Sequence, residues 1–168
     1  MKKIIFSLAL LFCMCIGATA QTKVSFNGPI GMDWKFKRSF MHGNTLVVDF
    51  VVENNTSQDI GCTITKSGSG AKGSYEIKAY DDEGNVYSEP WYGGSTNFEG
   101  KIGGKNSLYE GETIPRGNLI KVRLQIPGID EYATLIKTLT IPIYHSKYGG
   151  LDADVAELRV TNIPIPSE

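Results

Sequence analysis

The sequence predicts an all-β protein built as two stacked sheets, on three observations. Apolar residues recur at every second position over several windows, the period at which strand side chains return to one face. Clusters of Gly, Asn, Asp and Ser separate those windows, as hairpin turns require. No window keeps a helical period beyond about two turns. Several short strands divided by turn signals indicate a sandwich or a barrel, and the sandwich is the preferred reading.

The first residues stand apart from this pattern. Met1-Lys2-Lys3 is a basic start, Ile4 to Ile16 is an apolar run broken only by Ser7, and Gly17-Ala18-Thr19-Ala20 supplies small residues before Gln21. These are the three parts of a secretory signal peptide, so cleavage is expected after Ala20. Residues 1–20 are then removed, and 21–168 form a single domain that is secreted or periplasmic. The apolar run is shorter than the roughly 20 residues a spanning helix needs, so no membrane span is expected after cleavage. Neither Cys13 nor Cys15 follows the small residues that lipid modification requires. Losing Lys2 and Lys3 moves the formal net charge from −1 to −3. Cys62 is left without a disulfide partner, and a lone thiol in an oxidising compartment is expected to be buried. The core alone must hold the domain, and a chain near 150 residues suffices because it buries roughly 68–70% of its unfolded surface.

Along the mature chain, Met32, Trp34, Phe36, Arg38 and Phe40 occupy one face of a first strand, with Asp33, Lys35, Lys37 and Ser39 on the other. His42-Gly43-Asn44 supplies a turn, because Gly and Asn tolerate positive φ. Leu46, Val48, Phe50 and Val52 continue in a partner strand, giving an antiparallel hairpin. After the break at 54–59, Ile60, Cys62 and Ile64 resume the alternation, and Ser67 to Gly73 reads as a flexible loop. Tyr75, Ile77 and Ala79 mark a further strand, closed by a hairpin in which Gly84 takes the positive-φ position. Residues 88–107 show no sustained alternation. Leu119 to Ile126 alternates again and stops at Pro127-Gly128. Ile129 to Ala133 fits one helical turn, and Leu135 to Ile143 and Leu158 to Ile165 are the last strands. Pro142 and Pro164 each remove a backbone donor, so each strand should lie at an edge or finish there.

The stretch Val48-Asp49-Phe50-Val51-Val52-Glu53-Asn54-Asn55-Thr56 resembles the strand and Asn-Asn-Thr turn of secreted bacterial immunoglobulin-like proteins of unknown function. Asp82-Glu83-Gly84-Asn85-Val86-Tyr87 is similar to their Asp-x-Gly-Asn-x-Tyr hairpin. Gly111-Glu112-Thr113, Arg116-Gly117 and the strand Val122 to Pro127 are similar to their later segment. The likeness spans residues 32–143. It implies an immunoglobulin-like β-sandwich of about 7–9 antiparallel strands, extracytoplasmic and often surface-exposed, with no enzymatic residues to transfer. Many such proteins are anchored through a lipidated cysteine, which this chain lacks, and residues 145–168 extend beyond the pattern.

Few side chains suggest chemistry. A nucleophile needs an adjacent base and oxyanion donors. Here His42 and His145 are the only histidines, no Gly-x-Ser-x-Gly occurs, and Cys62 lies in mid-strand. Asp81, Asp82 and Glu83 are the densest acidic run and the best basis for a small carboxylate-based hydrolase, but Asp and Gly also belong at a hairpin tip for backbone reasons. That run lacks the calcium-loop spacing, and His145, Asp152 and Asp154 lack zinc-site spacing, so neither metal nor cofactor is expected. Lys66, Lys72, Lys101, Lys105, Lys121 and Arg123 are scattered singly, which argues against nucleic acid. The remaining candidates are Trp91, Tyr92 and Phe98, with Tyr109 nearby, in a glycine-rich stretch. Such rings can anchor a protein partner or stack on sugars, or else fold back to plug the end of the sandwich. The expectation is a non-enzymatic module that binds a protein or glycan of the cell envelope or exterior. A protein partner, met through loops or an edge strand, comes first, and a carbohydrate-binding module using the loop aromatics is the alternative.

Overall fold

A computed structural model of the chain describes residues 21–65, 67–70, 73–88, 98–106, 111–147 and 154–167. Among these there is no helix, and the strands form two antiparallel sheets consistent with a β-sandwich. In chain order they are β1 (Lys23–Phe26), β2 (Met32–His42), β3 (Thr45–Asn54), β4 (Ile60–Ile64), β5 (Ser67–Gly70), β6 (Gly73–Glu76) and β7 (Lys78–Asp81). There follow β8 (Val86–Ser88), β9 (Glu99–Ile102), β10 (Lys105–Asn106), β11 (Glu112–Ile114), β12 (Leu119–Ile126), β13 (Leu135–Lys147) and β14 (Asp154–Pro164).

One sheet runs β10-β9-β12-β3-β2. The other runs β1-β14-β13-β4-β11, with the β7–β8 pair also attached to β13. The inward residues of both sheets meet in one apolar cluster. Leu46, Val48, Phe50, Val52, Val122, Leu124 and Ile126 come from the first, and Ile64, Ala79, Ile136, Ile141, Leu158 and Val160 from the second. Trp34 and Cys62 are buried in it, as the alternation requires. Strands exceed the expected seven to nine because several are too short for a period of two to register.

The β2–β3 hairpin turns through Gly43-Asn44 with Gly43 at φ 57°, and Gly84 takes φ 94° at the tip between β7 and β8. Strict alternation along β2 does not hold, however. The register slips between Phe36 and Arg38, leaving Lys37 as an extra residue, a β-bulge. Before the bulge, Trp34 and Phe36 face the core, and Phe36 meets Phe50 edge-on at 6.2 Å. After it, Ser39 and Met41 pair with the inward-facing Val48 and Leu46, while Arg38 and Phe40 swing to the outer face beside Asp49 and Val47.

Pro142 also departs from expectation. It lies inside β13, which has neighbours on both sides and continues to Lys147. A strand residue's N–H and C=O point to the same side. The Pro142 carbonyl accepts from Thr65 N–H at 3.1 Å, so the missing donor points towards β4 rather than β14. There it meets a seam, because β13 pairs with β7 through Thr140 and with β4 from Ile143 onwards. Pro164 ends β14 as anticipated. Ser67 to Gly73, read as a loop, supplies β5 and the start of β6, which pair as a small two-stranded ribbon. Residues 131–132 form a turn rather than a helix.

Asn54 closes the far end of β3. It is fully buried, and its Nδ2 donates to the carbonyls of Gln58 (2.8 Å) and Ile114 (2.7 Å). Its Oδ1 accepts from the Thr56 amide (3.0 Å) and hydroxyl (2.7 Å). A side chain that stood in the sequence as a turn residue thus ties β3 to β11 across the sandwich.

Candidate functional site

The candidate site is the outer face of the five-stranded sheet, and the register builds it row by row. Arg38, Asp49, Arg123 and Lys101 are successive partners across β2, β3, β12 and β9. In the adjacent row Lys35, Val51 and Lys121 are partners. Directly opposed side chains lie about 4.5–5.5 Å apart at Cβ, so cations separated by many residues in sequence become neighbours. Val51 is only 5% exposed although it faces outward. It stands in the ladder between Lys35 and Lys121, and lysine stems can lie along apolar surface with their ammonium groups in water.

At the centre, Arg123 donates from Nε to Asp49 Oδ1 at 2.7 Å and from Nη2 to Oδ2 at 3.0 Å. Arg38 donates from Nε to the same Oδ2 at 2.8 Å. The Phe40 ring stacks against both guanidinium groups, at 5.1 Å from Arg38 and 5.6 Å from Arg123. This arrangement exists because the bulge at Lys37 turns Arg38 and Phe40 outward. The Arg123 bond, opposed by partial burial and reinforced by Arg38, holds the Asp49 carboxyl below its ordinary range. Asp49 therefore stays ionised and keeps both guanidinium groups in place. Around it is an open groove of about 470 Å³ lined by Lys37, Arg38, Lys101, Lys121 and Arg123, five cations about one carboxylate. One wall is the β9–β10 turn, where Gly103 and Gly104 take φ 58° and 92°, and Gly103 N–H donates to the Lys121 carbonyl. Lys35 is held by Glu53 at 2.8 Å, but no ion pair engages Lys37, Lys101 or Lys121 among the described residues.

The residues singled out by sequence fall elsewhere. Phe98 is 1% exposed and belongs to the core, so it is no part of a stacking surface. Trp91, Tyr92 and Tyr109 lie outside the described residues, as does Asp152. The acidic hairpin is a structural lock. Asp81 is buried and accepts from the Asn85 amide, Asn85 Nδ2 and the Tyr87 hydroxyl, and that hydroxyl accepts in turn from Asp130 N–H. Asp82 accepts from the amides of Thr134 and Leu135 and from the Thr134 hydroxyl. Burial alone would raise both carboxyls, but these bonds outweigh it and hold them below the ordinary range. The folded protein therefore binds their protons less readily than the unfolded chain. The stability they supply is complete above the unfolded pKa and is lost as pH falls through the ordinary value of 3.8 towards the folded one. The melting temperature should stay level from pH 7 to about 5 and drop below about 4. An Asp82→Asn variant should show a shallower acid drop, and an unchanged profile would assign the acid sensitivity to other groups.

Another hollow, of about 280 Å³, brings together residues the sequence kept apart. Cys62 is registered with Glu112 on one side and His145 on the other, and Asp154 follows His145. Burial pushes the Cys62 thiol up to about 12, so it remains protonated. Among the described residues, no group of three or more His, Cys, Asp or Glu is placed to hold a metal ion.

Sequence reasoning missed the basic face because its cations come from three strands far apart in the chain, β2, β9 and β12. The trace it left was Arg38 standing in an otherwise apolar series. No protein-family model, curated protein or solved structure matches the chain.

Proposed function

We propose that the protein is an exported, non-catalytic binding module that captures an acidic partner of the cell envelope or exterior on the outer face of its five-stranded sheet. The observation that supports this most directly is the groove itself, with five cations around one carboxylate on a chain whose formal net charge is −1. Like charges are gathered at one place against the average of the molecule, and such a concentration attracts and orients a partner of opposite sign. Export is supported by the leader pattern of residues 1–20. A non-catalytic role is supported by the engagement of Asp81 and Asp82 in hairpin bonds and by the protonated, buried Cys62 thiol.

The test is binding of the processed protein to soluble polyanions (polyglutamate, polygalacturonate and heparin) by calorimetry at low salt. At least one should bind, and affinity should fall steeply between 50 and 200 mM salt, as contacts between exposed charges do. A Lys101→Glu/Lys121→Glu variant should lose about tenfold or more in affinity while melting within about 2 °C of the parent, since both side chains are exposed. Indifference of all three polyanions to the parent protein would overturn the proposal.

A further inference from the structure

We infer that the groove is a carboxylate clamp for a linear acidic polysaccharide, a glycan whose uronate groups dock on the paired guanidinium groups of Arg38 and Arg123; this rests on the binding role proposed above. Asp49 already displays the preferred ligand chemistry. Its carboxylate takes the Nε–Nη2 edge of Arg123 in a two-bond fork, the pairing for which a planar guanidinium is suited. The outward Nη donors remain. Asp49 uses only Nε of Arg38 and one edge of Arg123, and no other acceptor among the described residues engages either group. The two side chains are 65% and 42% exposed, so these donors open to the groove. Phe40 beneath and Asp49 between keep both forks fixed before a ligand arrives, which reduces the ordering cost of binding. Lys37, Lys101 and Lys121 stand ready for further carboxylates along the same chain.

The partner's class follows from what the floor of the groove lacks. The groove crosses β2, β3, β12 and β9 on their face, where ladder bonds between the strands already engage the backbone. A polypeptide lying there would bury its own amides with no ladder to join; its natural seat would be a sheet edge. Its carboxylates also sit on flexible stems, and fixing each Glu side chain costs rotamer freedom. A uronate carboxylate is attached directly to a sugar ring, which spares that cost, and the ring hydroxyls can accept from the lysines.

The experiment compares polygalacturonate with polyglutamate, and with single-stranded DNA, at matched charge and ionic strength, using the processed protein. Polygalacturonate should bind about tenfold or more tightly per charge than either. An Arg38→Lys/Arg123→Lys variant keeps the net charge but cannot form the fork, and it should erase that preference. Should the double variant unfold, Arg38→Lys alone, at an exposed position, should reduce the preference severalfold. An Asp49→Asn variant separates geometry from charge: it removes the negative charge from the groove yet should narrow the gap between the two carboxylate polymers. Equal binding of polyglutamate or DNA would overturn the clamp and leave the basic binding face standing. No binding of any polymer would overturn both.

Discussion

Phe50→Ala should lower the stability of the fold by about 3–5 kcal/mol, the largest single loss expected at a core position. Phe50 sits in mid-course on β3, the only strand flanked by β2 on one side and β12 on the other. It is 1% exposed, pairs with Phe36 and Val122 in the ladder, and meets the Phe36 ring edge-on. Truncation removes the ring and leaves a cavity that rigid neighbouring strands cannot close. For a domain of this size the melting temperature should fall by about 10 °C or more. Urea denaturation gives the free energy directly. A loss under about 1 kcal/mol would mean that the two sheets do not meet at this residue.

The second large effect is expected at Asn54, where the cost is polar rather than apolar. Asn54→Ala should destabilise by about 2–4 kcal/mol. The variant leaves the Ile114 carbonyl without its donor and the Thr56 amide without its acceptor, and leaves the Gln58 carbonyl with the Thr56 hydroxyl as its one remaining side-chain donor. Asn54→Asp should be at least as harmful despite its similar shape, because a carboxylate would face two carbonyl oxygens and has nothing to donate. Thr56→Val provides the comparison: it removes one of Asn54's four bonds, together with the hydroxyl's contacts to Gln58, and should cost about 1 kcal/mol. If the alanine and valine variants unfolded at the same urea concentration, the cross-link from β3 to β11 would contribute nothing beyond the local turn.

How much of this could be read from the sequence depended on how local each cause was. The strands bearing Leu46 to Val52, Ile60 to Ile64 and Leu119 to Ile126 were legible because burial of one face imposes a period of two. Gly43 and Gly84 were legible because a tight turn needs positive φ. The bulge at Lys37 was not, since an extra residue preserves composition and changes only which residues face inward. Pro142 obeyed the local rule that a proline needs an absent neighbour, but the neighbour is missing at a seam inside the sheet, which is long-range information. Phe98 precedes a strand of four residues with only Gly100 and Ile102 buried, too short for a period to emerge. The basic face was the least legible feature. Lys101 and Arg123 meet only because β9 and β12 are neighbours, and Arg38 joins them only through β3 and the bulge.

The seam at Pro142 has a consequence for how the molecule comes apart. The β7–β8 pair and the β4–β11 pair both lean on β13, and among the described residues no ladder joins one pair to the other. Either pair can fray without dragging its counterpart along, while the β13–β14 spine holds until global unfolding. The second sheet thus behaves as two independently hinged leaves on one post, with separate opening free energies within a single cooperative fold.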